Sequence, residues 1–327
     1  MVKKSVLFFL MLFVIIFMYR LFIKEKSTEN IVSIRSAEIK SAWVGPSHYQ
    51  IPIHTDKNGD LIQYGYELIA HTALYLGPKG SVQHSTNGMN CQNCHLEAGT
   101  KPWGLNYGSV FSTYPKFRER SGSMETIYKR VNDCLERSLN GKALDTSSKE
   151  MKAIYAYIEW LGAETPKGNK VKGSGIEILP YLSSPANPSE GKIVYVQNCQ
   201  KCHGINGEGV VDSTGKMYTY PPLWGKYSYN DAAGLFQVSK LAGFIKNNMP
   251  NGINYHNPTL TNQAAWDVAA FINSQPRPTK DKSNDWPILA TKPIDYPFGP
   301  YADLFSESQH KYGPFEPIVL AKSKNYK

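Results

Sequence analysis

Apolar residues recur at three- and four-residue steps in both halves of the chain, which is the period of an amphipathic helix. In the first half this pattern starts near Asp60, and it returns behind a capping box formed by Ser147 and Glu150. The apolar positions of these two helices are Ile62, Tyr66, Ile69, Ala73, Met151, Ile154, Ile158 and Leu161. In the second half the arrangement is repeated by residues 190–197 and by a closing helix with Ala264, Val268 and Ile272. Each half is therefore expected to open and close with a helix.

Between the two helices of each half stands one C-x-x-C-H sequence, which is typical of covalent haem attachment. The alternatives for this motif are a thioredoxin-like dithiol and a zinc knuckle. Neither copy follows a βαβ-like strand, and no second pair of cysteines or histidines completes a zinc site. We therefore expect two covalently bound haem c groups, attached at Cys91, Cys94, Cys199 and Cys202, with His95 and His203 as axial iron ligands. The fold class that follows is all-α, with two cytochrome-c-like domains in tandem.

The same repeat predicts where the domains begin and end. Residues 40–162 are expected to form the N-terminal domain with one haem, and residues 189–275 the C-terminal domain with the other. Residues 163–188 are rich in Gly, Pro, Ser and Lys and predict a linker. Residues 276–327 lack a helical or strand period, but they are too rich in aromatic residues for a solvated tail. An irregular extension that wraps back over both domains is expected there.

Residues 1–24 predict export. Lys3 and Lys4 precede an unbroken apolar run over residues 6–19, which is the layout of a signal peptide. The run is shorter than the roughly 20 residues of a comfortable membrane span, yet no clear cleavage site follows it. The segment is therefore expected to be a signal peptide or an uncleaved membrane anchor. Both place the rest of the chain in the periplasm, where haems of this kind are attached.

Composition narrows the classes of partner. The 327 residues are 41% hydrophobic and 12% aromatic, which suits two globular domains. The net charge of +9 comes from scattered basic residues, so it favours small anions or an acidic partner over nucleic acid. Of the five cysteines, the haem motifs account for four and leave Cys134.

The sixth ligand of each iron decides whether a haem carries electrons or takes part in chemistry. In the second half the best candidate is Met249, which stands before Pro250 and a short loop ahead of the closing helix. Methionine sulfur favours ferrous iron. Met217 and His256 are the competing ligands, and the alternative for Met249 is an ordinary core position.

In the first half Cys134 occupies the corresponding position. On a helix, Arg130, Cys134 and Ser138 would share one face, with Arg137 close by, and such a positive setting favours a thiolate. An exported protein seldom keeps an idle thiol. The alternative is a buried, unreactive cysteine.

Several further stretches are informative: residues 114–122, 126–141, 221–225, 244–250, 285–287, 299–303, 309–311 and 313–314. They resemble the dihaem cytochrome c thiosulfate dehydrogenase/tetrathionate reductase family, and the resemblance covers nearly everything from about residue 40 onward. It implies an enzyme that interconverts two thiosulfates and one tetrathionate with two electrons. His95 and Cys134 would hold the active-site iron, and His203 and Met249 a relay iron that serves a periplasmic or membrane-linked cytochrome. Some relatives have lysine directly before the methionine; this chain has Asn248, which favours simple His/Met ligation.

The substrates of that family are dianions, so joining two of them requires fixed cations. Arg118, Arg120 and Arg130 are the expected cations, and Ser138 and Asn132 the expected hydrogen-bond donors. The alternative for each arginine is a haem propionate or a solvated surface position. We expect the Cys134 sulfur to form a transient S-thiosulfonate with the sulfane sulfur.

Two other functions compete with the enzyme. A non-catalytic dihaem electron carrier would need only two His/Met sites, and Cys134 would then be incidental. A dihaem peroxidase would need an open haem face and leaves the Cys134 segment unexplained.

Overall fold

The computed structural model describes residues 42–52 and 57–324, most of whose regular structure is helical. The predicted signal peptide or anchor over residues 1–24 lies outside this part of the chain. Within the described residues, no helix is both long enough and apolar enough to span a membrane.

The described part of the first half contains several helices and one hairpin. The helices are α1 (Lys57–Ala70), α2 (Thr72–Leu76), α3 (Val110–Thr113), α4 (Ile127–Arg137) and α5 (Lys149–Gly162). The hairpin joins β1 (Lys116–Arg118) to β2 (Ser123–Glu125), with Lys116 opposite Glu125 and Arg118 opposite Ser123. Short 3-10 turns lie at His48–Gln50 and Cys91–Asn93, and a partly left-handed turn follows at Leu96–Gly99.

The second half repeats the opening and closing helices. It contains α6 (Pro188–Asn198), α7 (Gln200–His203), α8 (Val238–Asn248), α9 (Asn262–Ser274), a 3-10 turn at Gly234–Phe236, and a short antiparallel pair of β3 (Val210–Val211) and β4 (Tyr218–Tyr220). Helix α1 packs along α5, and α6 packs along α9 in the same way. The two halves therefore share one arrangement, in agreement with two tandem domains.

A glycine marks the helix crossing in each half. A Cβ atom added at Gly65 of α1 would lie 2.0 Å from the carbonyl oxygen of Ala153, and one at Gly191 of α6 would lie 1.9 Å from that of Asp267. No side chain fits at such a distance, so the backbones approach closely only because both residues are glycine. Beside the two crossings lie separate apolar cores, one around Leu68 and the other around Trp266.

The start of α5 differs from the expectation. The N-cap is Ser148, whose hydroxyl accepts from the Met151 N–H at 3.2 Å. Ser147 instead donates to Asp145, and the Glu150 carboxylate accepts from the Tyr64 hydroxyl at 2.9 Å. The predicted capping box of Ser147 and Glu150 is therefore wrong, because Glu150 is drawn to α1 rather than to the helix start.

The C-terminal extension is largely irregular, as expected, but it ends in two helices that the sequence pattern did not indicate. These are α10 (Glu307–Tyr312) and α11 (Glu316–Lys324), and a 3-10 turn precedes them at Leu289–Thr291. Phe315 and Ile318 are buried in the core of the second half. The extension also contacts the first half, because the Trp286 N–H donates to the Arg120 carbonyl at 2.7 Å.

Buried amides fix the two halves against each other. The side chain of Asn230, which is 1% exposed, donates to the Glu136 carbonyl and to the side-chain oxygen of Asn140, both at 2.9 Å. The Asn87 side chain donates to the Ser228 carbonyl at 3.1 Å. Since unpaired buried amides are costly, these bonds specify one relative orientation of the halves.

The segment predicted as a linker, residues 163–188, lies against the protein. Its Gly173 and Gly175 carbonyls accept from the Trp103 and Leu105 N–H groups at 2.7 and 3.0 Å. A Cβ added at Gly243 of α8 would lie 1.9 Å from the Glu177 carbonyl oxygen. The segment therefore contacts both halves along its length.

Candidate active site

Two cavities surround the two C-x-x-C-H sequences. The first, of about 550 Å³, is lined by Cys91, Cys94, His95 and Cys134 among others. The second, of about 470 Å³, is lined by Cys199, Cys202, His203 and Met249 among others. Asn90, Cys94 and Leu235 line both cavities, so the two spaces adjoin.

Each motif histidine is oriented by one backbone carbonyl. His95 Nδ1 lies 2.6 Å from the Leu105 oxygen, and His203 Nδ1 lies 2.8 Å from the Pro221 oxygen. A carbonyl only accepts, so Nδ1 carries the proton and Nε2 keeps its lone pair for a metal. Burial lowers the pKa of His95 to about 4 and also lowers that of His203, so both rings are neutral near pH 7. Both histidines can therefore serve as axial iron ligands through Nε2.

Left-handed backbone after His95 positions the Leu105 carbonyl. Glu97, Ala98, Trp103 and Leu105 all have φ values between 51° and 57°. Each such residue costs about 1 kcal/mol, and strain of this kind persists only where surrounding structure enforces it. Here the enforced turn brings Leu105 back beneath the imidazole.

The donors present fit covalently bound haem. Each cavity contains the two thiols and the free histidine nitrogen that attachment requires, and all five cysteines are unpaired in the structure. In the described part of the chain no group of three or more His, Cys, Asp or Glu side chains could hold a metal ion by itself. This finding disfavours the zinc-knuckle alternative.

Helix α4 presents Cys134 to the first cavity. The Thr126 hydroxyl caps the helix by accepting from the Lys129 N–H at 3.3 Å. Arg130 stands one turn before Cys134 and Ser138 one turn after it, and all three line the cavity. The electrostatic interaction with nearby Cys134 raises the pKa of Arg130 above its usual range, against the opposing effect of burial.

The hairpin adds two further cations. Residues two apart on a strand share one face, so β1 directs both Lys116 and Arg118 to the cavity. The buried carboxylate of Glu125 on β2 lies 3.8 Å from Arg118 Nε and holds the guanidinium in place. Phe117, between the two cations, is exposed on the opposite face.

Two more lysines line the cavity, and no local sequence pattern indicated either of them. Lys170 comes from the segment between the halves, and Lys240 comes from α8 of the second half. Burial and the nearby arginines lower the pKa of Lys240 to about 8. Among the described lining residues, this cavity has five lysine or arginine side chains and no carboxylate. The second cavity has one of each, Lys101 and Glu97.

Two predicted substrate contacts lie elsewhere. Arg120 is not among the lining residues; its Nη1 donates to the Ala232 carbonyl at 2.9 Å, and its Nε lies 3.9 Å from Asp285. Asn132 does not line the cavity either. It stands two residues before Cys134, which is more than half a helical turn, so it lies on the opposite face of the helix. Its amide instead pairs twice with the Leu144 backbone, each time at 2.9 Å. Both residues support the structure around the cavity.

Of the three candidate iron ligands in the second half, two line the second cavity. Met249 is the C-cap of α8 and lines the cavity. Met217 lines it too, but its sulfur lies 3.8 Å from the Asn90 amide nitrogen, from which it accepts. His256 is exposed and is not part of the lining.

Comparisons with known proteins agree with this arrangement. The family model described as SoxA/TsdA, cytochrome c domain, matches residues 81–166, and the cytochrome c model matches residues 188–276. A thiosulfate dehydrogenase of Psychrobacter arcticus is 36% identical over 74% of this chain and 71% of the relative. A thiosulfate dehydrogenase of Stutzerimonas stutzeri is 34% identical over 72% of this chain and 74% of the relative. This chain belongs to the thiosulfate dehydrogenase family. The family's two cytochrome c domains, the mostly helical fold and the two covalently bound haem c groups, all expected from the sequence, are confirmed.

A solved member of the family has the same fold. The thiosulfate dehydrogenase (TsdBA) from Marichromatium purpuratum, in its as-isolated form, superposes with a TM-score of 0.67 at 31% identity. The match covers 75% of this chain and 51% of the solved chain, so this chain spans about half the length of that protein.

Proposed function

We propose that this chain is a dihaem enzyme that oxidises two thiosulfates to one tetrathionate and two electrons, and that the reaction takes place at Cys134. The curated relatives named thiosulfate dehydrogenase support the substrate. The observation that carries the proposal is the first cavity, where Cys134, the cysteine outside the two haem motifs, lies among five cations and no carboxylate. In an electron carrier Cys134 would be incidental.

In this proposal His95 and Cys134 hold the first haem iron, and His203 and Met249 hold the second. The four motif cysteines attach the porphyrins through thioether bonds. When bound, the two haems supply two one-electron acceptors.

The cations make the encounter of two dianions feasible. Two such ions with centres about 5 Å apart repel each other by about 13 kcal/mol at an effective dielectric constant near 20. Arg118 and Arg130 are placed to offset this repulsion, together with Lys116 and Lys170. The Ser138 hydroxyl is available as a hydrogen-bond donor to a sulfonate oxygen.

Cys134 divides the reaction into two steps. In the first, the Cys134 thiolate and the sulfane sulfur of one thiosulfate form an S–S bond, which gives an S-thiosulfonate and releases two electrons. In the second, the sulfane sulfur of another thiosulfate attacks that of the adduct, so tetrathionate leaves and the thiolate is restored. Arg130 lies one helical turn away and stabilises the thiolate at both ends of the cycle. Run backwards, the same steps reduce tetrathionate.

The electrons leave through the second cavity in this proposal. Asn90, Cys94 and Leu235 border both cavities, so haems held there would occupy adjoining spaces. A methionine ligand at Met249 would raise the potential of the second haem and so favour it as the electron acceptor. The final acceptor is an external cytochrome, periplasmic or membrane-linked, and the enzyme works after export to the periplasm.

Steady-state turnover of the purified, haem-loaded protein tests the proposal, with a soluble cytochrome c as acceptor. We expect one tetrathionate for every two electrons transferred, and at least a hundredfold loss of kcat in Cys134→Ala. Arg130→Gln and Arg120→Gln form a matched pair: the first should raise KM for thiosulfate, and the second should leave KM near the wild-type value. A protein that exchanges electrons with cytochrome c but consumes no thiosulfate is an electron carrier, and the proposal is then wrong.

A further inference from the structure

Lys240 lies in the first cavity although its helix belongs to the second half. Helix α8 carries Met249 at its C-terminal end, next to the second cavity, and Lys240 near its start, where the side chain meets the lining of the first. Cys134 and Arg130 line the same space from α4. One helix thus contributes to both cavities.

A buried chain of hydrogen bonds holds the ammonium group. Lys240 Nζ donates to Gln237 Oε1. Gln237 is 1% exposed, and its Nε2 donates to Asp295 Oδ1 at 2.9 Å. Because this bond fixes the amide with its nitrogen toward the carboxylate, its oxygen faces Lys240. Asp295 is held in turn by Ser239, whose N–H and hydroxyl both donate to Oδ2.

The ammonium group of Lys240 has a hydrogen-bond partner, but that partner carries no charge. Its described partner is a neutral amide, and no ion pair to a carboxylate within 4.0 Å is formed by Lys240 in the described chain. Arg118 and Arg130 approach the same space from two other elements. Clustered cations in a partly dry cavity are costly unless an anion joins them. The arrangement therefore calls for an anion at this position.

We infer that Lys240 binds a sulfonate group of the substrate dianion, so that the thiosulfate site is complete only when the second half is docked on the first. This inference rests on the proposed function. Lys240 is then a substrate-binding residue, and Gln237 and Asp295 are positioning residues that act through it. The competing role is a clamp on a haem propionate, which is also anionic.

The test compares Lys240→Gln, Lys240→Arg and the control Lys246→Gln in haem-loaded protein. Lys246 stands on the same helix, but its Nζ donates to the Leu260 carbonyl and it lines neither cavity. The probe is sodium sulfate, a redox-inert dianion, titrated calorimetrically into the ferric protein, and KM for thiosulfate is measured beside it. We expect Lys240→Gln to weaken sulfate binding and raise KM by about tenfold. Lys240→Arg should remain within threefold of the wild type, and Lys246→Gln should be unchanged.

Two results would overturn the inference. The first is a sulfate affinity in Lys240→Gln equal to that of the wild type; if the haem midpoint potential also changes, Lys240 is assigned to a propionate. The second comes from Gln237→Leu, which keeps the charge of Lys240 but removes its hydrogen bond, and which is used if Lys240→Gln is recovered without two haems. A sulfate affinity that is unchanged in Gln237→Leu, rather than about threefold weaker, would overturn the inference. A wild-type protein that oxidises no thiosulfate would instead refute the proposed function.

Discussion

The contact of Asp285 with Arg137 gives the clearest prediction about stability. Asp285 lies in the C-terminal extension, and its side chain is 6% exposed. It accepts two parallel hydrogen bonds from Arg137, at 2.7 and 2.8 Å, and one from the Tyr296 hydroxyl at 3.3 Å. Arg120 Nε lies 3.9 Å away. One carboxylate therefore balances two largely buried guanidinium groups.

Asp285→Asn keeps the size of this side chain and removes its charge. The substitution leaves Arg120 and Arg137 buried, close together and without a counterion, and breaking a buried pair from one side costs about 3–5 kcal/mol. Unfolding entropy of about 2.1 cal/mol per K per residue amounts to about 0.6 kcal/mol per K for the Trp43–Lys327 unit. The expected fall in Tm is therefore about 5–8 °C.

Thermal unfolding of the haem-loaded protein, followed by far-UV circular dichroism, measures this fall. The matched control is Asp281→Asn, since Asp281 lies in the same extension but is exposed and bonds to Ser283 nearby. The control should melt within about 1 °C of the wild type. An Asp285→Asn protein that also melts within 1 °C of the wild type would refute the reasoning, because the ion pair would then not stabilise the contact between the extension and the first half.

Three further predictions follow from single contacts. Met249→Leu should lower the midpoint potential of one haem by tens of millivolts, as measured by a spectroscopic redox titration, whereas Met217→Leu should not; the opposite result would make Met217 the ligand. Because burial and the cations Arg118, Arg120 and Arg130 lower the pKa of Lys240 to about 8 against the effect of Asp295, its charge is lost above that pH. KM for thiosulfate should thus rise through about pH 8, and a rise of equal size in Lys240→Arg would contradict this assignment. Gly65→Ala should abolish recovery of folded protein, since its methyl group would meet the Ala153 carbonyl; a normal yield would show that α1 and α5 tolerate separation.

Local patterns were sufficient to predict the haem motifs and the main helices, because both depend on residues close together in the chain. The face shared by Arg130, Cys134 and Ser138 followed from helical spacing in the same way. Lys116 could have been found too, since it stands two residues before Arg118 on one strand. The cap at Ser148 was missed because Glu150 bonds to Tyr64, which is distant in sequence.

Other features depend on how distant segments dock. Lys240 enters the first cavity only because the second half is fixed against the first. No local sequence pattern predicts this docking. Arg120 was expected among the cations that bind the substrate, but it lies instead beside Asp285 of the extension. The final helices were missed because they are short and bury only a few residues, among them His310 and Ile318.

The central claim is that thiosulfate is oxidised at Cys134. Its most direct test is a single-turnover experiment in which the ferric, haem-loaded protein is mixed with thiosulfate in the absence of oxygen and of any acceptor. The account predicts rapid reduction of both haems, one tetrathionate for each pair of electrons, and loss of both signals in Cys134→Ala with both haems still attached. Reduction of the haems by thiosulfate at the wild-type rate in Cys134→Ala would contradict it.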